Sequence, residues 1–162
     1  MANPRGKKRR PRRQQVLSIT AGYLPRQTAP YDPAAYPDDL LIRDKVASIL
    51  GGPIGGWNFE LVYRFAIFHG LNIDWAIMLN AVKDADGLCA ERRRVERIDI
   101  CHSEVHRHTF RLSSDPDDNL GDRTVIQSIS ADDAVIVNRE YDKQMDFVSR
   151  EWELRARRWL DG

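Results

Sequence analysis

The chain has 162 residues, of which 42% are hydrophobic and 30% charged, as in an ordinary globular domain. Its 25 basic and 24 acidic side chains nearly cancel, which argues against a general nucleic-acid coat that is basic throughout. Two cysteines are too few for a disulfide framework, and no stretch resembles a membrane helix or a secretory signal, so we expect a cytoplasmic protein without membrane contact.

The first 15 residues form a basic arm that contains no acidic side chain. The other 147 residues carry 18 basic and 24 acidic side chains, so the positive charge is concentrated in this arm. Repulsion between its charges predicts an arm that is disordered when free and binds nucleic-acid phosphates, although a solubilising tail has the same composition. The predicted phosphate-binding residues are Arg5, Lys7, Lys8, Arg9, Arg10, Arg12 and Arg13.

Residues 16–37 contain four prolines and are predicted to form an extended tether. Residues 38–162 are predicted to form a single domain, beginning with a helix over 38–50 that Gly51 and Gly52 end. Large apolar side chains at every second position from Trp57 to Ile67, with Asn58, Glu60 and Arg64 between them, predict a strand over 57–68. Further strands are predicted over 73–83, 92–101, 105–112 and 123–129, with an exposed loop over 113–122.

The C-terminal segment has the clearest helical pattern of the chain. Ser130 and Asp133 have capping-box spacing, and apolar side chains then recur every three or four residues from Val137 to Trp159. Strands grouped between two helices predict an α+β fold, with an antiparallel sheet of about five strands flanked by an N-terminal and a long C-terminal helix. The exposed part of this helix is a predicted contact for an inhibitor protein or a second copy of the chain.

Three of the four histidines lie within seven residues, in a predicted hairpin of the third and fourth strands. If Ser103 and Glu104 form the turn, Cys101 faces His106 and Asp99 faces His108. One polar stripe would then contain Arg97, Asp99, Cys101, His106 and His108.

Three interpretations of this stripe stay open. In the first, His106 and His108 act as acid and base in metal-independent RNA cleavage, Asp99 orients a ring, and Arg97 or Arg107 contacts a phosphate. In the second, His106 and His108 bind zinc together with Asp99 or Cys101. In the third, the histidines are structural residues on a solvated sheet edge. The first interpretation requires no cofactor.

The acid followed by His-x-x-x-His-x-His, from Asp99 to Phe110, resembles the TumE-type ribonuclease toxins of bacteria. The resemblance covers about 15 residues and extends weakly to the C-terminal helix. It implies an RNA-cutting toxin that an antitoxin partner neutralises.

The arm and the histidine stripe together predict an RNA-binding protein, with endoribonuclease activity as its candidate chemistry. A second basic cluster, Glu91 to Arg94, leads into the hairpin and is a candidate phosphate path or a solvated sheet edge. The alternatives are a non-catalytic protein that docks on ribosomal or other nucleic acid through its arm, and a protein-interaction module with structural histidines.

Overall fold

The computed structural model describes residues 29–85 and 88–162, which form a six-stranded antiparallel sheet and one long helix. The strands lie in chain order across the sheet. The predicted α+β fold is confirmed, with six strands where about five were expected. The strands are β1 (Ile42–Ile54), β2 (Trp57–Phe68), β3 (Leu71–Ala85), β4 (Leu88–Cys101), β5 (Glu104–Thr109) and β6 (Asp122–Ser128), and the helix α1 covers Ala134–Asp161.

The predicted helix over 38–50 is wrong. A single 3-10 turn covers Asp38–Leu40, and the segment belongs to β1 from Ile42 onward. Its apolar residues fit the helical and the extended period almost equally well, and short apolar runs of this kind are ambiguous. Pairing decides the outcome, because β1 hydrogen-bonds along one side of β2 and so satisfies backbone groups that would otherwise form an open edge.

The predicted strand over 57–68 is confirmed as β2, and two-residue turns join it to its neighbours. The Gly55–Gly56 and His69–Gly70 turns have positive φ at both residues, as the tightest hairpins require. The alternation in β2 places Trp57, Phe59 and Leu61 on one side of the sheet, where all three are buried. We call this the helix side, because α1 packs on it, and we call the opposite side the open side.

The core lies between the helix side of the sheet and α1. Trp75 Nε1 donates a hydrogen bond of 3.1 Å to the Val137 carbonyl, and the Trp159 ring meets Trp57 edge-on at 5.2 Å. These contacts fix both ends of the helix on the sheet. The other buried apolar residues of this core include Phe59, Ile77, Leu79, Val95, Ile98, Val105, Val148 and Ala156.

The long C-terminal helix is confirmed, and it begins at Ala134. Just before it, Asp133 Oδ2 accepts hydrogen bonds from the backbone N–H and the hydroxyl of Ser130, both at 2.7 Å. Among the described residues, no helix has the length and the apolar character needed to cross a membrane.

The described end of the predicted tether packs on the domain. The Tyr31 side chain is buried, and its hydroxyl donates to the Ile73 carbonyl at 2.6 Å. The Tyr31 N–H also donates to Ser103 Oγ at 2.9 Å. These bonds join residues far apart in sequence, so this short segment closes one end of the sheet. The basic arm and residues 16–28 of the tether lie outside the described residues.

A buried ion cluster joins α1 to the sheet near the middle of β4. Glu96, which is 1% exposed, contacts the guanidinium groups of Arg155, Arg158 at 3.1 Å and Arg107 at 3.4 Å. Arg155 is itself buried, and this burial lowers its pKa while the charge of Glu96 acts in the opposite direction. One carboxylate therefore compensates a guanidinium that the helix carries into the core.

We expect that shortening a side chain on the buried face of α1 lowers the free energy of unfolding much more than shortening one on its exposed face. Val148→Ala should lower the free energy of unfolding by about 2 kcal/mol, because Val148 is 1% exposed and loses packed methyl groups. Val135→Ala is the matched control, since Val135 is 67% exposed on the same helix and gains the same helix propensity. Urea denaturation of both variants measures the difference, and equal losses would contradict this packing of α1.

Removing the charge of Glu96 should lower the free energy of unfolding far more than removing the charge of Asp146, an exposed acidic residue of α1. Glu96→Gln should cost about 3–5 kcal/mol, because among the described residues the buried Arg155 guanidinium then keeps only the half-exposed Glu151 carboxylate at 3.7 Å. Asp146→Asn breaks the exposed ion pair with Arg150 and should cost no more than about 0.5 kcal/mol. Denaturation midpoints of the two variants provide the comparison, and a similar effect of both would mean that the Glu96 cluster does not anchor the helix.

Candidate functional site on the open side of the sheet

The histidine hairpin forms with a register different from the predicted one. His102 and Ser103 make the turn, both with positive φ, so Asp99 pairs with His106 and Arg97 pairs with His108. The predicted turn at Ser103 and Glu104 is wrong, as are the predicted pairs of Cys101 with His106 and Asp99 with His108. Contacts distant in sequence favour the observed turn, because Ser103 Oγ accepts from Tyr31 N and the Ser103 carbonyl accepts from Ile129 N.

The observed turn has two residues, like the predicted one. The cross-strand pairs therefore change, but the residues of the predicted stripe stay together on one side of the sheet. Asp99 and both strand histidines lie on the open side, and His106 and His108 are each only 3% exposed. Cys101 instead pairs with Glu104 at the end of the hairpin and is exposed. The third clustered histidine, His102, lies in the turn and is exposed.

Asp99 is the centre of the cluster. Its Oδ1 lies 2.7 Å from His106 Nε2, and its Oδ2 lies 2.9 Å from Arg97 Nε. The approach to His106 lacks the angles of a hydrogen bond, so Oδ1 is a buried oxygen without a hydrogen-bond partner in the described part of the chain. Burial lowers the pKa of His106, and Asp99 counteracts this only in part, so the neutral ring is favoured at pH 7.

The second ring completes a compact set of donor atoms. The His106 and His108 rings meet edge-on with centroids 4.8 Å apart. Asp99, His106 and His108 each offer one ligand atom, and these three atoms lie within 4.8 Å of one another. Among the described residues, His106 Nδ1 and His108 Nε2 are buried and have no hydrogen-bond partner. Buried polar atoms are normally satisfied, so one such atom on each of these three side chains, with a fourth on the neighbouring Arg97, indicates a missing partner.

A loop of residues 110–121 covers this cluster. Three consecutive backbone carbonyls of the loop accept from open-side side chains: Asp118 from Arg94 at 3.1 Å, Asn119 from Arg97 at 3.3 Å, and Leu120 from His108 Nδ1. Because a carbonyl oxygen only accepts, the bond to Leu120 requires a proton on His108 Nδ1, so the neutral form of the ring has its lone pair on Nε2.

Gly121 allows the loop to close onto the sheet. It has φ +52°, and a Cβ atom at this position would lie 2.5 Å from the Thr109 carbonyl oxygen. A side chain here would therefore force the end of the loop away from β5 and from the cluster beneath it.

The remaining predicted site residues lie elsewhere. Arg107 projects to the helix side, where it contacts Glu96 and Gln144, so it lies across the sheet from the histidines. The predicted phosphate-binding residues of the arm, from Arg5 to Arg13, lie outside the described residues. Arg94 was predicted only as part of a candidate phosphate path, the loop carbonyls were not predicted as site residues, and no local sequence signal points to backbone carbonyls.

Comparison with family models, curated proteins and solved structures gives no match. The resemblance to the TumE-type toxins therefore stays a prediction.

Proposed function

We propose that this protein binds one transition-metal ion of the zinc class through Asp99, His106 and His108. The observation that carries the proposal is a set of three ligand atoms, one from each side chain, within 4.8 Å of one another. Each of these side chains also has a buried polar atom without a hydrogen-bond partner among the described residues: Asp99 Oδ1, His106 Nδ1 and His108 Nε2. Imidazole nitrogen and carboxylate oxygen are ligands that zinc accepts in proteins, and sites with three protein ligands keep a position open for water or substrate.

The surroundings of the ligands support the same proposal. Histidines that bind metal usually donate their second ring N–H to a backbone carbonyl or a carboxylate, as His108 does to Leu120. A zinc ion about 2.1 Å from each ligand needs ligand atoms about 3.5 Å apart, so the observed set, within 4.8 Å, requires rotation of the side chains to enclose an ion. Arg97 Nε lies 2.9 Å from the second carboxylate oxygen and balances the charge of Asp99.

Metal titration tests this proposal directly. The chelator-treated protein should bind about one Zn²⁺ or Co²⁺ per chain in calorimetry, with a rise in melting temperature. His106→Gln, His108→Gln and Asp99→Asn should each weaken binding by more than about tenfold, since even outer-shell partners of a metal are worth 10- to 100-fold. The Co²⁺ spectrum should lack a thiolate charge-transfer band, because Cys101 lies outside the set.

His102→Gln is the matched control for the titration, because it removes an imidazole from the same hairpin without touching the cluster. Its affinity for Zn²⁺ should equal that of the unchanged protein. Absence of saturable binding, or an equal loss in His102→Gln and His106→Gln, would reject the site.

RNA cleavage is a second candidate function for the same residues, favoured by the 2.7 Å contact between Asp99 and His106. A neutral imidazole beside a carboxylate is suited to act as a base, and Arg97 supplies a cation next to it. Burial of both histidines means that a substrate reaches them only when the 110–121 loop moves.

Incubation with labelled single-stranded RNA tests this second candidate. Metal-independent cleavage should survive EDTA and disappear in the His106→Ala, His108→Ala double variant, with His102→Ala unchanged. Cleavage that EDTA abolishes would assign the chemistry to a bound metal ion. Intact RNA in every sample would reject the enzyme and leave metal binding as the function of the cluster.

A further inference from the structure

The open side of the sheet contains a second polar site, beside the histidine cluster. A cavity of about 340 Å³ lies over the first half of β4, in the size range of small-molecule sites. Three cationic side chains line it, Lys45 from β1 and Arg92 and Arg94 from β4, against a single carboxylate, Glu60 from β2. Such an excess of positive charge in a concave site favours an anionic ligand.

We propose that this cavity binds a phosphate group carried by an organic molecule. Three cations and one carboxylate leave two positive charges, which match the charge of −1.5 to −2 on a phosphate monoester at pH 7. Guanidinium groups present their N–H donors in a planar fork that fits phosphate oxygens. The inference goes beyond metal binding and does not depend on it.

The cavity is built around a buried carboxylate. Glu60 is 6% exposed and accepts from Asn80 Nδ2 at 3.0 Å. The same carboxylate contacts Arg92 Nε at 2.9 Å and Arg92 Nη2 at 3.4 Å. These contacts hold the Arg92 guanidinium in place at the cavity before any ligand arrives, which lowers the entropy cost of binding.

The other two cations remain available to a ligand. Arg94 donates through Nη1 to the Asp118 carbonyl, which fixes the side chain, and its other donors have no hydrogen-bond partner in the part of the chain that the structure describes. Lys45 is exposed, and among the described residues its ammonium group has no ion-pair partner. A phosphate in the cavity would therefore gain donors from two strands of the sheet.

The cavity also has an apolar part. Val62 is buried and Met78 half-buried on the open side, and both line the cavity together with Ala47 and Pro116. Apolar side chains next to the cations suit the organic part of a ligand, which free phosphate lacks. We therefore expect an organic phosphate to bind more tightly than the inorganic ion.

Binding measurements in the presence of EDTA test the proposal separately from metal binding. Inorganic phosphate, adenosine monophosphate and a short single-stranded RNA without terminal phosphates are titrated into the full chain by calorimetry. Stronger binding of the nucleotide would assign the site to small organic phosphates. Binding of the RNA alone, with a steep salt dependence, would assign the phosphate to a nucleic-acid backbone.

Two substitutions locate the binding site. Lys45→Gln and Arg94→Gln should each weaken binding of the preferred probe by about five- to tenfold, the loss of one charge-assisted contact. Lys143→Gln is the matched control, since it removes an exposed lysine charge from α1 on the other side of the sheet. Melting curves should show that Lys45→Gln is as stable as the unchanged chain, and that Lys143→Gln, which removes the cation next to the buried Glu140, is still folded at the temperature of the titration.

The proposal fails if none of the three probes gives saturable binding to the unchanged chain. It also fails if Lys143→Gln weakens binding as much as Lys45→Gln, because the effect would then reflect net charge instead of this cavity.

Discussion

The arrangement of the open side depends on one irregularity in the sheet, the β-bulge at Val95 and Glu96. Leu79 of β3 pairs with Glu96 and the next residue, Asn80, pairs with Arg94, so Val95 is an extra residue in β4. A bulge shifts the alternation of side chains by one position. Arg92 and Arg94 before it, and Arg97 and Asp99 after it, therefore all reach the same side of the sheet.

The same bulge places the carboxylate of Glu96 on the helix side of the sheet. Glu96 meets Arg155 of α1 there, while Val95 joins the apolar core. A carboxylate buried at this depth is costly unless it is paired, and the guanidinium that pairs with it is equally costly alone. Two adjacent residues of β4, Val95 and Glu96, thus affect both sides of the sheet. They help to position the helix on one side and determine which polar residues lie on the other.

Several elements were predictable because the local pattern and the tertiary environment agree. The alternation over 57–68 and the helical period after Val137 each specify one buried side, and both were predicted correctly. The stripe of Arg97, Asp99, His106 and His108 was also predicted, since any two-residue turn in this hairpin preserves the sides of both strands.

Other features depend on partners that a single sequence does not reveal. Most of the segment 38–50 forms a strand because its backbone pairs with that of β2. The His102–Ser103 turn is favoured by contacts with Tyr31 and Ile129. Neither turn residue is one that such turns prefer. The bulge, and with it the cavity around Glu60 and Arg94, has no signature in the residues of β4 alone.

The 110–121 loop lies on the solvent side of both polar sites, the histidine cluster and the cavity next to Glu60. The loop starts in the core, where Phe110 is buried, but its later part from Asp115 to Gly121 has no buried side chain. The inner contacts of this later part are mainly carbonyl oxygens held by Arg94, Arg97 and His108, while Leu120 is 72% exposed. A segment held by polar contacts with little apolar burial opens at a free energy well below that of global unfolding. Exchange of ions and small molecules with the buried histidines can therefore proceed by local opening of this loop, while the sheet and α1 remain folded.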